Sequence, residues 1–348
     1  MASFRGGSDD PAPGPKAAFS VTILMPVRNE EDFLHRCLES VAANDYPSEQ
    51  LEVLVLDGMS TDRSVGIAES FRPRIPGLRV VPNPGRLQAA GFNLGLAQAN
   101  GEIIVRMDAH TTYARDYVRE CVRLLAETGA ANVGGPARAI GETSVGRAIA
   151  FAVSSRFGAG DSVYRYADRM MEAESVFPGA WRKDTLLAVG GMRADWAVNE
   201  DYELNYRIRR AGGRVVVAPS IRCLYYVRGT LGKLAKQYCR YGFWRARTVQ
   251  RYPASLRWRQ LIPPALVVYL VGLAAVVPSV GWWPAVPVAI YLGILGASVV
   301  QGAATLRQEA LWLVAVFPVI HLAWGAGFLG GLCYWWIWPR LRRFGGRA

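Results

Sequence analysis

VTILMPVRNEEDFLHRCLESVAANDYPSEQLEVLVLDG, residues 21–58, decides the fold. It opens on an apolar run suited to a buried strand (21–27) and continues through a helical apolar pattern (30–43). It closes on a second apolar run (51–56) that ends at Asp57-Gly58. Strand, helix, strand at this spacing predicts two parallel strands joined by a crossover helix. The pattern repeats: a helix over 63–71 with Asp62 as candidate cap, a strand near 78–81, a helix near 87–99 and a strand over 102–107. The expected fold is α/β, a Rossmann-like, mostly parallel sheet with flanking helices. Such sheets bind ligands beyond the carboxyl ends of their strands. Those ends are Arg28-Asn29-Glu30, Asp57-Gly58 and Asp108-Ala109-His110.

Further along, 133–139 and 214–218 read as strands. NEDYELNYRIRR (199–210) reads as a helix with an Asn cap and two acids, Glu200 and Asp201, in its first turn. With 51% hydrophobic residues in 348, the chain can bury a core, which excludes disorder for most of it. A net charge of +12 raises nucleic acid and an anionic membrane surface as partners. Its distribution decides between them. Residues 228–259 carry nine basic groups and no acid, and the tail 340–348 carries four more, which leaves 1–227 close to neutral. Nucleic-acid binding is not expected.

No charged residue occurs over 260–306 or 310–339; only Arg307 and Glu309 interrupt. About 20 apolar residues cross a bilayer, so these runs predict about three membrane helices, 261–279, 284–304 and 311–338. His321, inside the third, is expected to be neutral and bonded to a backbone carbonyl. The basic stretch 228–259, with an amphipathic helix at 230–249, is expected on the cytoplasmic membrane surface. Three spans put the basic tail outside, against the same charge rule, unless part of 261–338 is re-entrant rather than spanning. Residues 1–19 have no apolar stretch and read as a disordered leader rather than a signal peptide. The expected organisation is leader 1–19, catalytic domain 20–227, interface segment 228–259, membrane region 260–339 and basic tail 340–348. The five cysteines are scattered without a C-x-x-C pair and read as structural thiols of a reducing cytoplasm.

Each polar candidate has an ordinary alternative. Asp57 suits a turn that bonds its own backbone. Asp108 and His110, two apart with side chains on one side, suit metal ligation or a plain loop. Glu200 and Asp201 suit a helix dipole as well as acid–base work. Trp181, after Phe177-Pro178-Gly179, suits a core or an acceptor-sugar platform.

In this order, over residues 21–241, the motifs resemble the family 2 (GT-A fold) inverting glycosyltransferases. MPVRNE is similar to the opening nucleotide-binding strand, with Pro26, Arg28 and Glu30 at its end. LDGMSTD is similar to the segment whose Asp, here Asp57, recognises uracil. GEIIVRMDAH stands where the family has its D-x-D metal motif, with Asp108 kept and His110 replacing the second acid. VNEDYELNYRIRRAGG is similar to the helix that carries the catalytic base, here Asp201, beside Glu200. Gln237-x-x-Arg240-Tyr241 resembles the Q-x-x-R-W motif of processive synthases, with Tyr for Trp, and implies contact with an acceptor or a diphosphate. An interfacial helix whose arginines meet lipid headgroups explains that stretch equally well. The DAH variant and the short membrane region look most like ExoA-type glucosyltransferases of bacterial succinoglycan synthesis.

The resemblance implies a divalent cation (Mn²⁺ or Mg²⁺), a UDP-sugar donor and a polyprenyl-diphosphate-linked glycan acceptor. It implies a multi-pass enzyme of the bacterial inner membrane, catalytic domain in the cytoplasm, with polysaccharide-assembly proteins as candidate partners. Alternatives are a processive polysaccharide synthase, a polyprenyl-phosphate sugar synthase and a non-catalytic assembly subunit.

Overall fold

The computed structural model describes residues 19–160 and 162–337, without the side chains of 274–280 and 337. Nearly all of the expected leader and the whole basic tail lie outside the described residues. Strands β1 (Val21–Val27), β2 (Leu51–Asp57), β3 (Leu78–Pro82) and β4 (Ile103–Arg106) alternate with helices α1 (Glu31–Ala42), α2 (Ser64–Ser70) and α3 (Gln88–Gln98). These follow the apolar runs almost residue for residue, because strands buried on both faces need continuous apolar sequence. Then come β5 (Thr111–Tyr113), α4 (Tyr117–Thr128), β6 (Asn132–Gly134), β7 (Ala137–Ile140), α5 (Ser144–Ser154) and α6 (Arg156–Ala159). The remainder is β8 (Met171–Glu172), β9 (Gly179–Arg182), α7 (Lys183–Ala188), α8 (Glu200–Arg210), β10 (Val215–Val217), β11 (Cys223–Tyr226), α9 (Leu231–Arg251), α10 (Ile262–Val280), α11 (Val286–Leu306) and α12 (Leu313–Leu332).

The main sheet has the order β3-β2-β1-β4-β9-β6-β10-β8, and a small sheet has the order β5-β11-β7. Strands β1 to β4 are parallel, with Val27 opposite Asp57 and Leu24 opposite Arg106. The chain moves outward from β1 to β3, then returns to add β4 on the other side. That reversal opens a crevice at the carboxyl ends of β1 and β4, the usual ligand position. One face packs Leu34, Cys37 and Leu38 of α1 with Tyr117, Cys121 and Leu124 of α4. The other packs Phe92 and Leu96 of α3 with Leu204 and Ile208 of α8. Each large apolar side chain so buried contributes about 1.5–3 kcal/mol.

Two local expectations are corrected. Residues 133–139 form not one strand but two, β6 and β7, in different sheets. The break is Gly135-Pro136: a Cβ at Gly135 would lie 1.8 Å from the Ile221 carbonyl oxygen, and proline has no N–H for a ladder. Asn199 does not cap α8; at φ 62° its side chain makes no cap bond, and Nδ2 donates to the Tyr241 carbonyl of α9 at 3.0 Å. Asp62, by contrast, accepts from Ser64 N (3.0 Å) at the start of α2 and from Glu31 N (3.1 Å).

The apolar C-terminal third is helical. Among the described residues, one continuous run, Trp283–Trp336, is long and apolar enough to cross a membrane. It is folded back on itself. Arg307 has φ 53° and turns α11 into α12, so that Gly302 lies against Leu313 and Tyr291 Oη meets His321 Nδ1 at 3.0 Å. His321 Nε2 donates to the Phe157 carbonyl (2.9 Å), as a neutral imidazole can. The turn is tied to α5 by Arg147 Nε and Glu309 Oε2, 2.7 Å apart.

Helix α9 does not keep its apolar face for lipid, as expected of a surface helix. Helix α12 covers it through glycines: a Cβ at Gly242 would sit 2.0 Å from Trp324 O, at Gly327 2.0 Å from Cys239 O, and at Gly331 2.5 Å from Phe243 O. Small residues four apart let two helices approach this closely.

Candidate active site

The β1–α1 and β2–α2 loops are laced together beside the crevice. Asn29, at φ 54°, donates its N–H to Ser60 Oγ (3.0 Å) and accepts from Thr61 N through Oδ1 (2.8 Å), while Glu30 N donates to Ser64 Oγ (2.9 Å). Asp57 is buried and accepts from Ser60 N through both carboxylate oxygens, at 3.1 and 3.2 Å. The turn-closing bonds expected of such an Asp therefore exist, and they also fix the carboxylate at the end of β2. Pro26 and Glu30 are half-buried, and Arg28 is exposed.

Beyond β4 lies a buried ionic cluster. Arg106, 5% exposed, reaches Asp108 Oδ1 through Nε (2.9 Å) and Glu200 Oε1 through Nη2 (3.2 Å). Asp108 is 3% and Glu200 5% exposed, and Gln88 Nε2 also donates to Asp108 Oδ1 (3.2 Å). Sequence reasoning missed Arg106. Its signal was there: a cation in the otherwise apolar Ile103-Ile-Val-Arg-Met107, two positions before Asp108. Helix α8 is held in register by Glu203, fully buried, which accepts from Arg207 Nε (2.8 Å) and Tyr252 Oη (2.8 Å). Asp201 thus sits on a fixed first turn, where its Oδ1 accepts from Tyr202 N (2.7 Å).

Burial raises the Glu200 carboxyl from 4.5 to about 7, against the attraction of Arg106 and with the repulsion of Asp201. A carboxyl raised on folding gives stability that is complete below its unfolded value and is lost as pH rises through its folded one. Wild-type melting temperature is therefore expected to fall between about pH 5 and pH 8. In Glu200→Gln that slope flattens; thermal melts across this range check it, and an unchanged slope refutes the assignment.

His110 turns its Nδ1 toward Glu30 Oε1 (3.3 Å) and its ring edge toward Tyr225. No group of three or more His, Cys, Asp or Glu suited to a metal exists among the described residues. The donor set fits a divalent cation only as one carboxylate, Asp108, completed by substrate phosphates, a normal arrangement for Mg²⁺. Asp108 lines the cavity, and Arg106 Nη2 also donates to its Oδ2, at 3.5 Å.

Trp181 is corrected. It is 1% exposed on β9, edge-on to Phe92 in the core, and cannot serve as a platform for an acceptor sugar. Gln237 Nε2 donates to Tyr241 Oη (2.8 Å) and Tyr225 Oη (3.2 Å), and Arg240 is exposed at the rim. Asp108, His110, Glu200, Asp201, Gln237, Arg240 and Tyr241 all line one cavity of about 1200 Å³. Its lining also includes Tyr164 and Arg165 and an apolar group, Ile262, Leu266, Ile290 and Trp324.

A switch-point crevice lined by carboxylates at the head of a mostly parallel sheet is the position where such a fold binds its ligand. The family model described as Glycosyl transferase family 2 matches residues 22–167, and Glycosyl transferase family group 2 matches 103–338. The succinoglycan biosynthesis protein ExoA of Rhizobium meliloti (strain 1021) is 31% identical over 312 residues, 89% of this chain and 94% of that protein. The chain belongs to glycosyltransferase family 2, and it is an enzyme of that type. A dolichyl N-acetyl-alpha-D-glucosaminyl phosphate 3-beta-D-2,3-diacetamido-2,3-dideoxy-beta-D-glucuronosyltransferase of Methanococcus voltae is 26% identical over 248 residues, 68% of this chain and 76% of its own. In fold, the chain is similar to the mannosyltransferase PcManGT of Pyrobaculum calidifontis, solved with GDP-Man and Mn²⁺. The TM-score is 0.62 at 22% identity, over 93% of this chain and 90% of that one.

Proposed function

We propose that this glycosyltransferase moves a sugar, glucose, from a UDP-sugar to a polyprenyl-diphosphate-linked glycan, with inversion. It acts at the cytoplasmic face of the bacterial inner membrane, held there by α10 to α12, in exopolysaccharide synthesis. The observation that carries this reading is the single cavity lined both by the carboxylates and by an apolar group from those helices. A lipid-linked glycan has that polarity: sugar hydroxyls, a charged linkage, then hydrocarbon. The relation to ExoA supports the exopolysaccharide assignment.

In this reading Asp57 receives the uracil, while Pro26, Arg28 and Glu30 border the nucleotide. Asp201 accepts the proton of the acceptor hydroxyl as that oxygen attacks the anomeric carbon, and UDP departs from the opposite face. Glu200 supports the acceptor side, and Arg106 holds Asp108 and Glu200 in their relative positions. Asp108 is the residue that would hold a divalent cation (Mn²⁺ or Mg²⁺), which when bound neutralises charge on the departing diphosphate. His110, facing Glu30, orients that loop.

The test is an incubation of the full-length protein in detergent with a panel of nucleotide sugars and a short-chain polyprenyl-diphosphate glycan. One β-linked sugar per acceptor is expected, from the UDP donor alone. A ladder of products points instead to a processive synthase, and transfer to bare polyprenyl phosphate to a lipid-phosphate sugar synthase.

A further inference from the structure

We propose that Arg165 is a diphosphate-binding residue, seated to take the diphosphate that links an acceptor sugar to its lipid. This rests on the acceptor reading above and deepens it. The cavity is lined by nine lysines and arginines against four carboxylates, so it favours an anion. The other cations are accounted for. Arg106 is neutralised by Asp108 and Glu200. Arg245 is held by Gln260, and Arg156 and Arg259 are exposed. The remaining rim cations are exposed to water.

Arg165 differs. It is half-buried, at the end of the short helical turn Val163–Arg165, and no carboxylate among the described residues pairs with it. Its guanidinium carbon lies 5.3 Å from the centre of the Tyr164 ring. Tyr225, Tyr238 and Tyr241 are its other electrostatic neighbours, all of them cavity-lining. A half-buried guanidinium that faces phenols and no paired carboxylate can take an anion from the cavity. A guanidinium fork pairs two phosphate oxygens at once, which an ammonium does not.

Position selects the source of the diphosphate. On one side, Tyr164 feels the charge of Asp201. On the other, Phe157 of α6, which lines the same cavity, accepts from His321 of α12 through its carbonyl. Arg165 therefore stands between the proposed base and the apolar helices, where the linkage between sugar and lipid must pass. The donor's diphosphate belongs beside Asp108.

The experiment compares wild type, Arg165→Gln and Arg165→Lys as full-length proteins in detergent. Two acceptors carry the same glycan, one on a short-chain polyprenyl diphosphate and one on a neutral octyl group. Arg165→Gln is expected to raise KM about tenfold or more for the diphosphate acceptor. Its KM for the octyl acceptor and its affinity for UDP, by calorimetry, should stay within about twofold, which also shows that the variant folds. Arg165→Lys should recover part of the loss. Weakened UDP binding means that Arg165 serves the donor's diphosphate, and an equal loss on both acceptors means that it has no role specific to a diphosphate. Either overturns the proposal. A wild type that prefers the octyl acceptor overturns the acceptor reading itself, before any variant is made.

Discussion

Replacing Asp201 with asparagine lowers kcat for sugar transfer by about 10²–10⁴-fold, while UDP still binds within a few-fold of wild type. The amide oxygen of asparagine can keep the bond that Asp201 Oδ1 makes to Tyr202 N, so the first turn of α8 is preserved. What is lost is the ability to take a proton. The acceptor hydroxyl must then attack while still protonated, and the barrier rises by the whole general-base contribution. Single-turnover rates at saturating donor, with calorimetry of UDP, separate the two quantities. A parallel loss of UDP affinity would move Asp201 to the donor side and end its assignment as the base.

Replacing Arg106 with methionine has the largest expected effect on stability, a loss of about 3–5 kcal/mol. The size matches, but Asp108 and Glu200 are left buried with no cation between them. Part of the strain is relieved by protonating Glu200, already raised to about 7 in the intact protein. Adding Glu200→Gln to Arg106→Met should therefore recover stability that the single change lost, a coupling read directly from a double-mutant cycle. Denaturant melts at pH 8 give the clearest contrast. If the single variant melts like wild type, the cluster is not a structural ion pair and Arg106 has another purpose.

The first half of the fold was legible because β1, β2 and β4 are covered on both faces, and such strands write themselves as unbroken apolar runs. Their ends then pointed to Asp57 and Asp108 without further help. Strand β9, Gly179–Arg182, was hidden because nothing in Gly-Ala-Trp-Arg alternates; its state comes from antiparallel partners on both sides, β4 and β6. Asn199 misled in another way. Asn before two acids is a fair cap signal, yet the tertiary bond to the Tyr241 carbonyl claims its side chain. Arg165 sits in a segment with no apolar period, so only the tyrosines that β11 and α9 bring to it, Tyr225, Tyr238 and Tyr241, reveal its place. Trp181 had two open readings, and local sequence cannot separate a core ring from a platform.

The glycine contacts between α9 and α12 bear on how this enzyme can be handled. A protein engineer seeking a soluble fragment would cut after residue 259, where charge gives way to apolar sequence. That excision strips α12 from α9 and uncovers Leu234, Tyr238, Ala246 and Val249. The same helix carries Gln237 and Tyr241 and holds Asn199 just ahead of Glu200 and Asp201. The apolar helices and the candidate active site share one helix as a common wall, and neither has a complete surface without the other.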